Sequence, residues 1–165
     1  MMLPQNAKIV QAFLPAHGAA LTGDWVSVKN YHKAMLIVTV ATGASDVATV
    51  IAVDKATSVA AANESTGITL NNFWTIESIS ATAPASDLMT KGTAAAYISI
   101  GATQQSLGHM AVADIDCGEL PDSSYEYDCL QANISSSNAA HFIGAVWVLY
   151  EPRYAQSPPP TAITD

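Results

Sequence analysis

The residues able to do chemistry are few and scattered. His17, His32, His109 and His141 stand so far apart that none lies within four residues of another or of a cysteine. Metal sites built on one element need ligands a few residues apart, as in His-Glu-x-x-His or paired Cys-x-x-Cys, because only that spacing turns them to one side. Each histidine therefore reads as structural or exposed. No Gly-x-Ser-x-Gly elbow, phosphate-binding Gly-x-x-x-x-Gly-Lys loop or Gly-x-Gly-x-x-Gly turn occurs in the chain. Those motifs place a nucleophile or cradle phosphates, so the reaction classes that depend on them have no support. The sequence assigns no catalytic residue, no cofactor and no metal, and predicts a protein that is not an enzyme.

Cys117 and Cys129 flank the turn-like segment Gly118-Glu-Leu-Pro-Asp-Ser-Ser. If the flanking segments pair as a hairpin the sulfurs approach, but a disulfide depends on geometry that spacing does not fix. Reduced thiols are the default for a chain that opens on Met-Met-Leu-Pro-Gln-Asn-Ala-Lys, which has neither a basic leader nor a long apolar stretch. A redox role needs a lowered thiol pKa, and the carboxylates nearby act the other way.

Six of the fourteen acidic residues, Asp114, Asp116, Glu119, Asp122, Glu126 and Asp128, fall within fifteen positions that hold no Lys or Arg. An EF-hand counted from Asp114 requires Gly and Glu where Glu119 and Tyr125 stand, so that calcium motif is absent. The plain reading is a solvated acidic loop. A cation site of another kind or a contact for a basic partner are the alternatives, with Asp122 and Glu126 as contact candidates. A glycosidase needs two carboxylates facing across a cleft, and no pair is singled out. Trp25, Trp74 and Trp147 sit within strand patterns and read as core, which leaves Tyr125, Tyr127, Tyr150 and Tyr154 as the exposed aromatic candidates. The sequons at Asn63 and Asn133 matter only in a secreted chain.

The elements that must carry these residues are strands. Short, often β-branched apolar runs are punctuated about every ten residues by Gly, Pro, Asn or Asp, which is the rhythm of an all-β sandwich or barrel. Strands are predicted at Lys8–Phe13, Trp25–Val28, Lys33–Ala41, Ala48–Val53, Gly67–Leu70, Trp74–Ser80, Ala95–Ile100, His109–Ile115, Tyr127–Ile134 and His141–Tyr150. The near-continuous apolar runs 34–40 and 142–150 indicate burial on both faces or a central place in a sheet. The stretches 42–46, 63–67, 81–92 and 104–108 read as linkers, and the Ala-rich piece 56–63 as a connection. No apolar run reaches the ~18–20 residues of a membrane span.

With 165 residues and no internal repeat the chain predicts one domain. Residues 1–152 form a body with a short N-terminal arm, and residues 153–165 form a Pro-rich C-terminal arm. Neither the first six nor the last thirteen residues are expected to add much to a core. Pro158, Pro159 and Pro160 remove three backbone donors and favour an extended segment, which either reaches a neighbouring subunit or frays. Together with Arg153 and Tyr154 they are the arm's contact candidates.

Charged residues make up 12%, against about 25% in ordinary domains, and the net charge is −8. An acidic surface repels phosphate backbones, so nucleic acid is not an expected partner. In place of charge stand 29 Ala, 15 Ser and 14 Thr. A surface of small neutral groups lacks the mixed charges that keep free domains soluble, which points to a subunit packed against other chains.

Three segments carry a likeness. Leu3–Val10, Leu21–Ala34 and Val148–Asp165, the last running Val-Leu-Tyr-Glu-Pro-Arg-Tyr-Ala-Gln-Ser-Pro-Pro-Pro-Thr-Ala-Ile-Thr-Asp, resemble the small virion structural proteins of tailed bacteriophages. The likeness is sharp there and weak between about Thr42 and Ala140. It implies a jelly-roll-like antiparallel sandwich and a decoration or cement subunit bound to the major capsid protein on the capsid surface, after assembly in the host cytoplasm. A homo-oligomer, dimer or trimer, is the expected state, with no nucleic-acid or membrane partner. A neck or tail adaptor and a carbohydrate-binding module of the virion surface are the alternatives.

Overall fold

The structure, a computed structural model, describes residues 7–18, 20–42, 47–79, 88–100, 108–136, 138–153 and 162. These residues build two antiparallel sheets packed face to face as a sandwich. The strands in chain order are β1 Ala7–His17, β2 Leu21–Thr22, β3 Val26–Ser27, β4 Tyr31–Ala41, β5 Thr49–Ala56, β6 Asn72–Ile79, β7 Thr90–Lys91, β8 Ile98–Ile100, β9 Gly108–Asp116, β10 Cys129–Ser136 and β11 Phe142–Pro152. One sheet runs β1-β11-β4-β9-β6-β7 and the other β2-β10-β5-β8, with β3 also paired to β10. Strands of the N-terminal part thus pair with strands of the C-terminal part: β1 with β11, β2 and β5 with β10, and β4 with both β9 and β11.

The core lies between the sheets, where strand alternation sends every second side chain inward. Leu36, Val38 and Val40 from β4 and Ile143, Trp147 and Leu149 from β11 meet Ile51 and Val53 from β5 and Leu130 and Ile134 from β10, all fully buried. Fully burying a Leu, Ile or Val side chain contributes about 1.5–3 kcal/mol each, so this layer supplies most of the driving force. One flank is closed by the passage from β2 to β3. Gly23 donates to the Ala132 carbonyl at 2.9 Å and Asp24 to the Ala12 carbonyl at 3.1 Å, stitching the two sheets together. A Cβ at Gly23 would stand 2.6 Å from the Ala12 oxygen, so only glycine fits there.

Several expected elements differ. The strand predicted at Gly67–Leu70 is not one. Gly67 has φ +69 and gives its N–H to the Asp54 carboxylate at 2.7 Å, and only Leu70 makes a bridge, with Ala95. β2 and β7 are two residues long, too short for any periodicity, and β7 falls within the stretch read as a linker at 81–92. Tyr127 and Asp128 precede β10 instead of opening it. The long apolar runs hold the predicted central places, yet their burial alternates, so only one face of each meets the core. The last thirteen residues do reach the core at one point. Ala162 is fully buried, and its carbonyl accepts from the Ser27 N–H at 2.7 Å.

Candidate contact surfaces

The acidic segment is an ordered loop between β9 and β10. Asp116 caps a 3-10 turn, Cys117–Glu119, by accepting from the Gly118 N–H at 2.9 Å. The Asp122 carboxylate accepts from the N–H groups of Ser124, at 2.8 Å, and Tyr125, at 3.0 Å. These backbone donors, the one from Ser124 foremost, hold its pKa below the usual carboxylate value. Lys55 reaches up from β5 as a clamp. Its Nζ donates to the Leu120 carbonyl at 2.9 Å and to Asp122 at 3.3 Å, and it stands 4.0 Å from the centre of the Tyr127 ring. A cation over a ring face is attracted by the ring quadrupole, so Lys55 binds the loop by charge, hydrogen bonds and the aromatic face together.

Of the contact candidates, Arg153 and Glu126 share one hollow. Both line a hollow of about 450 Å³ with Lys29, Cys117, Tyr127 and Asp128. Arg153 is fixed there by the backbone, donating its N–H to the Asn30 carbonyl at 2.8 Å and its Nε–H to that of Tyr31 at 3.3 Å. Asp122 sits on the Lys55 side of the loop and does not line this hollow. Tyr154, Pro158, Pro159 and Pro160 lie outside the described residues.

A second cleft, of about 500 Å³, gathers Lys33, Lys55, Asp114, Asp116 and Glu119. Its charged side chains already have partners, inside the cleft or beside it. Lys33 pairs with Asp116 at 2.8 Å, which lowers the Asp116 pKa and raises that of Lys33, and Asp114 accepts from the Tyr150 hydroxyl at 2.6 Å. Among the described residues no three His, Cys, Asp or Glu side chains are grouped to hold a metal.

The histidines divide as structural and exposed. His109 and His141 are buried against Thr42 and Thr49, and burial lowers the His141 pKa, while His17 and His32 face outward. Both cysteines are free thiols and buried. Desolvation, with Asp116 adding to it, pushes Cys117 up to about 12. Two aromatic expectations are corrected. Tyr127 is buried beneath Lys55 instead of exposed, and Trp74 is half-buried on the outer side of its sheet, not in the core, with the Lys91 ammonium 5.8 Å from its ring centre. Tyr125 is exposed and Tyr150 half-buried.

One surface feature has no signal of its own in local sequence pattern. Register places side chains of neighbouring strands side by side on the outer face of the six-stranded sheet. One row reads Ile9, Val148, Met35, Asp114, Asn72, the next Gln11, Val146, Ile37, Val112, Trp74, and a third Gly144, Thr39, Met110, Ile76. Nine of these fourteen are large and apolar, and among the described residues no strand lies over them. The charged groups of the face, Lys33, Asp114, Asp116 and Lys91, keep to one end and one edge. The outer face of the other sheet is different. There Asp54 takes the N–H of Gly67 and the amide of Asn133, and the Gln131 amide donates to the Gly23 carbonyl at 2.8 Å, so its polar groups are satisfied internally. An apolar area with a polar rim is the anatomy of a contact surface. The two long apolar runs signal it, once it is known that only one face of each is covered. No protein-family model matches the chain, and no curated protein matches it.

Proposed function

We propose that the chain is a non-enzymatic structural subunit of a tailed-phage virion, a decoration or cement protein seated on the outside of the head and held there by contacts with the major capsid protein and with copies of itself. The observation that carries this reading is the apolar outer face of the six-stranded sheet, centred on Ile37, Val146 and Val112. A face of that kind serves association, and in the cleft beside Lys33 the Lys33–Asp116 pair and the Tyr150–Asp114 hydrogen bond occupy the polar groups with one another. The pairing of N-terminal with C-terminal strands across both sheets supports a jelly roll, a double-sheet design recurrent in capsid proteins. The acidic loop held by Lys55 and the hollow between Arg153 and Glu126 are the proposed contacts with the shell.

Co-sedimentation with emptied phage heads tests the reading. The chain is expected to pellet with heads at a fixed copy number, and Arg153→Glu together with Glu126→Arg to reduce occupancy. A chain that stays in the supernatant at every concentration overturns it.

A further inference from the structure

We infer that the outer face of the six-stranded sheet is covered by a second copy of this chain, packed sheet on sheet about a two-fold axis. The inference rests on reading that face as a contact surface and names its occupant.

Area comes first. Same-face residues repeat about every 6.8 Å along a strand and strands lie about 4.8 Å apart. Five strands, β1, β11, β4, β9 and β6, and the five rows from Tyr150-Lys33-Asp116 to His17-Phe142-Ala41-Gly108 therefore span about 34 by 24 Å, or about 800 Å². That is the area one partner contributes to a standard stable interface.

Charge comes second. Like-charge repulsion opposes self-association of a chain of net charge −8, and opposes it least at a surface with little net charge of its own. On this face Lys33 stands against Asp114 and Asp116 within the five strands, Lys91 on the adjoining β7 adds the second positive charge, and among the described side chains the centre around Ile37, Val146 and Val112 carries none. A basic partner would find better ground at the acidic loop.

Shape decides between a second copy and another protein. The face is the side of a β-sheet, which twists with a fixed hand, and its natural complement is a sheet of the same twist, packed about 10 Å away as sheets in a sandwich are. At one end Phe142, 44% exposed, stands beside a shallow hollow of about 210 Å³ lined by Thr39, Ala41, Gly108 and Met110. In the sheet β11 and β9 flank β4 on opposite sides. A two-fold axis along β4 therefore lays β11 of each copy over β9 of the other, and sets each Phe142 above the Gly108 end of the facing hollow. The face is complementary to itself, as an isologous interface must be.

Sedimentation equilibrium of the purified chain tests this, with far-UV circular dichroism as the check on folding. The wild type is expected at twice the 17.2 kDa chain mass. Ile37→Lys and Val146→Lys put a charge at the centre and are expected to weaken the dimer at least about 30-fold, as loss of a hot spot does. Tyr97→Lys, in the bend before β8 beside the other sheet and 55% exposed, is expected to leave it intact. Should the Lys variants misfold, Phe142→Ala supplies the same reading with an exposed side chain, and dimer affinity unchanged in that variant overturns the two-fold packing. A monomeric or trimeric wild type overturns it as well. If that monomer still binds heads and Ile37→Lys does not, the face belongs to the capsid protein and the structural role stands. A dimer that ignores heads leaves this inference standing and removes the virion role.

Discussion

The Lys55 ammonium lies 4.0 Å above the Tyr127 ring while the same nitrogen donates to the Leu120 carbonyl. One cation from the floor of the five-stranded sheet thereby fastens both ends of the acidic loop. Lys55→Met keeps the aliphatic stem but removes charge and donors. Amides of residues 118–126 should then exchange with deuterium several-fold faster, with protection in β4 and β11 unchanged.

The tail is tied to its own sandwich through Ala162 and Ser27, 2.7 Å apart. Deleting residues 154–165 strips β3 of that partner and uncovers the site that Ala162 fills. A loss of about 1–2 kcal/mol is expected in urea unfolding, from one backbone hydrogen bond worth about 0.5–1.5 kcal/mol and the packing around the buried Ala162 methyl. Ala162→Arg should reproduce it in the full-length chain, since the buried position cannot hold a charge.

Trp147 is fully buried, and its Nε1 finds no hydrogen-bond partner among the described residues. Trp147→Phe therefore removes an unsatisfied donor along with some volume, and the two effects offset. The net change should stay below about 1 kcal/mol, against about 2–5 kcal/mol for Leu36→Ala, which only empties space in the same layer.

Burial holds the His141 pKa below its ordinary value of 6.5, with His109 adding to the effect. The unfolded chain therefore binds a proton near pH 6.5 that the folded chain refuses until lower pH. Stability is full above that value and falls as pH drops below it. The urea midpoint should decline from pH 7.5 to 5.5, and the His141 ring resonances should not titrate at 6.5 in the native protein.

Cys117, buried with its pKa near 12, and the equally buried Cys129 should not react with a thiol reagent at pH 8 until the chain is unfolded, when both should react. Mass spectrometry without reductant should show no bond between them.

Much of this was written in local pattern. Short β-branched runs between Gly and Asp punctuation set the strands, because alternation along an extended chain needs no distant information. The acidic loop, the absence of motif chemistry and the central places of β4 and β11 follow from the order of residues in the same way. Tertiary structure decided the rest, because it depends on which strands become neighbours. Register alone brought Ile9, Val148 and Met35 into one row on the uncovered side, where the apolar runs had left open burial on both faces or a central place in a sheet. Distance in sequence hid Lys55 from Tyr127 and Ala162 from Ser27. No window along the chain contains both members of such a pair, and only the packing of two sheets makes them meet.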